Sequence, residues 1–72
     1  MNTPQSPKGK RPRRFIQADV GNGFANYALV DGQWYSVNGT ADCVSEVRWA
    51  CSATERDQLV AIVASRFQRG VL

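Results

Sequence analysis

Residues 24–39 read FANYALVDGQWYSVNG, and this stretch decides the fold class. Asp31-Gly32 and Asn38-Gly39 stand five residues apart, each after a run rich in aromatic and aliphatic residues. A two-residue type I′ turn needs positive φ at both central positions, which Asp, Asn and Gly tolerate, so both dipeptides are hairpin signals. The pattern predicts a strand over 24–30, with Phe24, Ala28 and Val30 on one face and Tyr27 and Leu29 on the other. A short strand over 34–37 follows, and two hairpins in succession make an antiparallel meander.

Upstream, Arg14 to Val20 (RFIQADV) predicts a first strand closed by a Gly21-Asn22-Gly23 turn. That tripeptide resembles a phosphate-binding loop only superficially, since neither the following helix nor the Lys is present. Downstream, residues 40–51 (TADCVSEVRWAC) fit two patterns. As a strand they place Cys43, Val47, Trp49 and Cys51 on one face, against Val44, Glu46 and Arg48. As a helix they stripe Val44, Val47 and Cys51. The preceding turn and the β-branched and aromatic content favour the strand.

Ser52-Ala53-Thr54-Glu55 matches a capping box and predicts a helix start. Glu55 and Asp57 in the first turn, Arg66 and Arg69 near the end and Gly70 as the residue after the last turn all suit the helix dipole. Leu59, Val60, Val63 and Phe67, with Ile62 alongside, form the stripe expected to cover a sheet face. The expected fold is therefore α+β: a small antiparallel meander of three to four strands covered by one C-terminal helix.

With 72 residues, one small domain is the ceiling, because so short a chain buries only about 60% of its unfolded surface. The absence of His removes imidazole catalysis and His metal ligands, and two Cys cannot complete a four-ligand zinc site. Neither Cys43 nor Cys51 has a His partner, and Asp42 beside Cys43 disfavours a thiolate, so both read as buried small apolar residues. The pairs Asp42/Glu46 and Glu55/Asp57 are explained by exposed turn and helix-start positions rather than by catalysis. No cofactor, metal or small-molecule substrate is expected. No apolar run suggests a signal peptide or membrane span, so the expected setting is the cytoplasm with reduced thiols.

The net charge of +3 conceals a division. Residues 1–14 carry Lys8, Lys10, Arg11, Arg13 and Arg14 without an acid, giving +5, while the remainder carries −2. Residues 1–13, with Pro4, Pro7, Pro12 and Gly9 and no apolar residue after Met1, are expected to be a disordered arm, and 14–72 the folded domain. The aromatics Phe15, Phe24, Tyr27, Trp34, Tyr35, Trp49 and Phe67 read as core rather than as a base-stacking surface. No Lys or Arg stands in 15–47, and without cations nucleic-acid binding loses most of its affinity. The candidate partner-binding residues are Lys8, Lys10, Arg11, Arg13 and Arg14, with Phe15 as an apolar anchor at the junction. Such an arm suits an acidic protein surface or nucleic-acid phosphates.

The arm Lys8-Gly9-Lys10-Arg11-Pro12-Arg13-Arg14, the chain length and the Trp- and Tyr-containing domain ending in a helix together resemble the small RNA polymerase-binding transcription regulators of lytic Xanthomonas phages. The resemblance is one of layout and spans the whole chain. It implies a non-enzymatic protein of the host bacterial cytoplasm that binds the amino-terminal region of the polymerase β′ subunit. It further implies inhibition of initiation through loss of σ, and antitermination near the RNA exit channel assisted by NusA, where RNA lies within reach. The alternative is a small nucleic-acid-binding module that uses the same arm.

Overall fold

This computed structural model describes residues 7–21 and 23–71, with side chains as far as residue 66. Four strands, β1 (Arg14–Asp19), β2 (Phe24–Val30), β3 (Gln33–Gly39) and β4 (Val44–Ala50), precede one helix, α1 (Ala53–Val71). The strands form an antiparallel sheet in the order β1-β2-β3-β4. The α+β meander expected from residues 24–39 is present, with four strands.

The hairpin at Asp31-Gly32 has φ of 52° and 80°, the positive pair its sequence signals. The second dipeptide behaves differently. Asn38 and Gly39 both lie within β3, and the reversal is made by Thr40 to Cys43. There the Thr40 hydroxyl accepts from the N–H groups of Asp42 and Cys43, both at 3.3 Å, and supplies locally what a turn dipeptide would have supplied. Asn38 instead donates from Nδ2 to Glu46 Oε1 across the strands at 3.0 Å. Gly39 is needed for space as well as conformation: at φ 142°, a Cβ there would lie 2.6 Å from both the Cys43 carbonyl and the Ser45 nitrogen.

Residues 44–50 are strand, but simple alternation does not describe them. The β3–β4 ladder shifts register between Ser36 and Val37 and again between Asn38 and Gly39. An extra residue at a bulge moves the following side chains to the other face. Val44 and Val47 consequently join Val37 on one face, whereas the alternation predicted opposite faces for them. Cys43, expected to be buried, instead falls before the strand and is exposed.

The helix begins as its sequence says: Ser52 N–H donates to Glu55 Oε1 at 2.8 Å and Glu55 N–H donates to Ser52 Oγ at 3.2 Å. Leu59 is fully buried and Ile62 and Val63 pack beside it against Ile16, Ala18, Tyr27 and Trp34, so α1 covers that sheet face. Two details of the expected stripe change. Val60 is exposed, and Gly70 lies inside the helix, which continues to Val71. The Phe67 and Arg69 side chains lie outside the described residues.

On the opposite face, Ala28, Val30, Val37 and Val44 form a second buried cluster with Phe15, Tyr35 and Val47 packed against it. No part of α1 belongs to this cluster among the described residues. The chain segment that approaches it is the basic arm.

Candidate partner interface

The Gly9 N–H donates to the Val44 carbonyl at 2.7 Å, and the Val44 N–H donates to the Lys10 carbonyl at 3.0 Å. This reciprocal pair fastens the arm to the first residue of the edge strand β4. A tight turn precedes it, closed by Lys10 N–H on the Pro7 carbonyl at 2.9 Å. At the other end Arg13 N–H donates to the Leu29 carbonyl of β2 at 2.7 Å. Residues 10–13 thus run as a strap from the β4 edge to the head of β1.

Of the arm, residues 7–13 are seated against the sheet by these bonds, while residues 1–6 lie outside the described residues. The physical reason lies in Pro7 and Pro12, whose rings are both buried. Their apolar surface and fixed φ lower the entropic cost of seating the strap.

The strap sorts the predicted cations. Lys10 is half-buried, with Nζ 3.4 Å from Asp31 Oδ2 in the β2–β3 turn. Arg11 Nη2 is 4.0 Å from Asp42 Oδ1, but their side chains are 80% and 86% exposed, so that pair contributes little. Lys10, Arg11 and Arg13 surround an open cleft of about 580 Å³, completed by the Asp31-Gly32 turn and the aliphatic Leu29 and Val30. Lys8 and Arg14 are exposed and do not line this cleft. Arg14 pairs with Leu29 in register, on the helix-covered face, and Phe15 pairs with Ala28 on the other.

Phe15 does not join the cations. It lines a second cleft of about 570 Å³ with Ile16, Gln17, Phe24 and Arg66. Phe24 is 71% exposed, and Arg66 reaches from α1 to donate from Nη2 to the Gln17 carbonyl at 2.9 Å. Neither Phe24 nor Arg66 was legible as a site residue. The signal for Phe24 is its place at the very start of β2, where it pairs with Asp19, a residue that faces water. Of the other aromatics, Tyr27 and Trp34 are core as expected. Phe15, Tyr35 and Trp49 are half-buried, and the Arg48 guanidinium stands 4.9 Å from the Trp49 ring centroid.

The remaining polar chemistry is structural. Glu55 serves the helix cap, Asp57 pairs with Arg56 at 3.0 Å, and Glu46 accepts from Asn38. Cys51 is buried, and burial, helped by Glu55, pushes its thiol up to about 11. Among the described residues no group of three or more His, Cys, Asp or Glu is placed to hold a metal ion. Nor is any helix among them long and apolar enough to cross a membrane. Comparison with protein-family models, with curated proteins and with solved structures gives no match.

Proposed function

We propose that this chain is a non-enzymatic regulator of transcription that docks on a bacterial RNA polymerase through its cationic strap, in the manner of the phage proteins it resembles in layout. The observation that carries the reading is the cleft in which Lys10, Arg11 and Arg13 are displayed together by a backbone hydrogen-bonded at both ends. A cationic segment already held in place loses less entropy on docking than a free tail would, and its charge accelerates encounter with an acidic surface. The amino-terminal region of β′ is the proposed contact, with NusA and the exiting RNA as neighbours, in the cytoplasm of the host bacterium. Inhibition of initiation and antitermination then follow from protein contact, a small domain obstructing or bracing a channel.

The strap's structural role decides how this is tested. Deleting residues 1–13 would remove the Gly9 and Lys10 bonds to Val44 as well as the charge. Replacing Lys10, Arg11 and Arg13 together by Gln keeps the backbone bonds. With purified holoenzyme at two salt concentrations, the triple variant is expected to bind more weakly and to show a flatter salt dependence. Equal affinity of wild type and variant at both salts would remove the strap from the mechanism. Salt-sensitive binding to DNA or RNA without polymerase would favour the nucleic-acid module instead.

A further inference from the structure

We infer that Gly9 is a positioning residue for the cationic cleft. It closes the turn from Pro7 to Lys10 that latches the arm onto Val44, and so decides whether Lys10, Arg11 and Arg13 meet a partner as one fixed group or as a loose tail. The inference rests on the proposed reading, since it takes this cleft as the surface that meets the partner.

The turn has the features of type II. Lys10 N–H donates to the Pro7 carbonyl at 2.9 Å, which makes Gly9 the residue before the last of the turn, and its φ is 82°. A type II turn requires positive φ at that position, and Gly or Asn supplies it. The turn aims two groups of the arm at the sheet. Gly9 N–H donates to the Val44 carbonyl at 2.7 Å, and the Lys10 carbonyl accepts from the Val44 N–H at 3.0 Å. A different φ at residue 9 rotates these two groups relative to each other, so that both cannot reach Val44.

The latch sits on a fixed base. Val44 is fully buried in the cluster with Ala28, Val30 and Val37. At the other end Arg13 N–H is held by the Leu29 carbonyl at 2.7 Å, so only Arg11 and Pro12 lie between the two points of attachment. Pro12 is buried, and its ring fixes φ at about −65°. Few backbone torsions are left to be set, and the cations carried on this short span line one cleft.

Charge alone does not need this arrangement. Five cations on an unattached arm would steer an anionic partner equally well, but they would be fixed only in the complex, at an entropic cost. With the latch closed, that cost falls on folding rather than on binding.

The test keeps every charge and breaks only the turn. Gly9→Pro removes the N–H that the Val44 carbonyl accepts and holds φ at about −65°, where the turn has 82°. Gly9→Val is a second breaking variant, which retains the N–H, has open space around its Cβ and resists positive φ. Gly9→Asn is the conservative variant, because Asn tolerates positive φ. Amide hydrogen exchange reports the latch. The Val44 amide should exchange about tenfold faster or more in Gly9→Pro and Gly9→Val, with the β2 and β3 amides unchanged as the sign of a folded domain. Binding of the full chain to purified bacterial RNA polymerase holoenzyme reports the function. Both breaking variants are expected to raise Kd about tenfold while keeping the salt dependence of wild type, and Gly9→Asn to stay within about threefold of wild type. If wild type binds and Gly9→Pro binds equally well with its Val44 amide unprotected, Gly9 does not position the cleft, while the polymerase reading stands. If Gly9→Asn binds as weakly as Gly9→Pro, turn geometry is not the cause and the inference falls. If wild type does not bind polymerase, the reading and the inference fall together.

Discussion

Lys10 Nζ stands 3.4 Å from Asp31 Oδ2, so the most sheltered of the arm's cations is matched by the turn that joins β2 to β3. Asp31 thereby does two things: it adopts positive φ in the hairpin, and it sets a negative charge at the edge of the cationic cleft. Asn tolerates the same backbone conformation and lacks the charge. Asp31→Asn is therefore expected to leave stability within about 0.5 kcal/mol of wild type, since a largely exposed pair contributes little. It should also raise the salt concentration at which the protein leaves a heparin column. Asp57→Asn, which makes the same change in net charge on the helix, is the control. Equal elution of the two variants would mean that Asp31 does not screen the strap.

At Gly39 the demand is steric. The Cβ introduced by Gly39→Ala would lie 2.6 Å from two backbone atoms, and φ of 142° is strained for any L side chain. Backbone atoms in a hydrogen-bonded turn have little room to move away. The expected loss is about 3 kcal/mol or more, a large part of the stability of so small a domain. Urea denaturation of Gly39→Ala beside Gly32→Ala separates the two effects. Gly32 has positive φ but open space around it, and its replacement should cost less. Equal losses would place the whole cost in backbone conformation.

These two glycines also mark how far the sequence could be read. Asp31-Gly32 and Asn38-Gly39 carry the same local signal, yet only the first is a turn. The difference comes from residues farther along: Thr40 offers its hydroxyl to the next turn, and the bulges in the β3–β4 ladder extend β3 past Asn38. Local chemistry specified the meander, the Ser52–Glu55 cap and the Leu59 stripe because each depends on neighbours within a few residues. The seating of residues 7–13 depends on Val44 and Leu29, which lie far away in the chain, and no local pattern announces it. The same holds for the candidate site. Charge counting found Lys10, Arg11 and Arg13, but the separation of Phe15 from them and its meeting with Phe24 and Arg66 follow from strand pairing and helix packing.

Tyr27 and Ser36 face each other in the β2–β3 register beneath α1, and both are fully buried. The Tyr27 hydroxyl and Ser36 Oγ have no hydrogen-bond partner among the described residues. Burial, with smaller contributions from Cys51, Glu55 and Asp19 opposed by Arg48, raises the Tyr27 pKa, so the phenol stays neutral at ordinary pH. Removing an unpaired buried hydroxyl relieves a desolvation cost of about 1–3 kcal/mol without losing a bond. Tyr27→Phe is therefore expected to equal wild type in stability or exceed it by about 1 kcal/mol. A clear loss in thermal or urea unfolding would reveal a hydrogen bond to that oxygen.

The two cysteines provide a pH-dependent test of the packing under the helix. Cys43 is exposed and Cys51 buried, so a thiol reagent should label the first in the native protein and the second only as the protein unfolds. The Cys51 thiol is raised from 9.0 to about 11, first by burial and then by Glu55. Below pH 9 the thiol is protonated whether the chain is folded or unfolded, and the group makes stability independent of pH. Between pH 9 and 11 the unfolded chain releases this proton more readily than the folded one, so stability falls as pH rises. Two units correspond to a loss of up to about 2–3 kcal/mol across that window. Cys51→Ala removes this contribution. Urea unfolding of wild type and Cys51→Ala from pH 8 to 10.5 should therefore show the wild type losing stability faster. Parallel curves would mean that Cys51 ionises as easily in the folded domain as in the unfolded chain, and that the helix does not seal it from water.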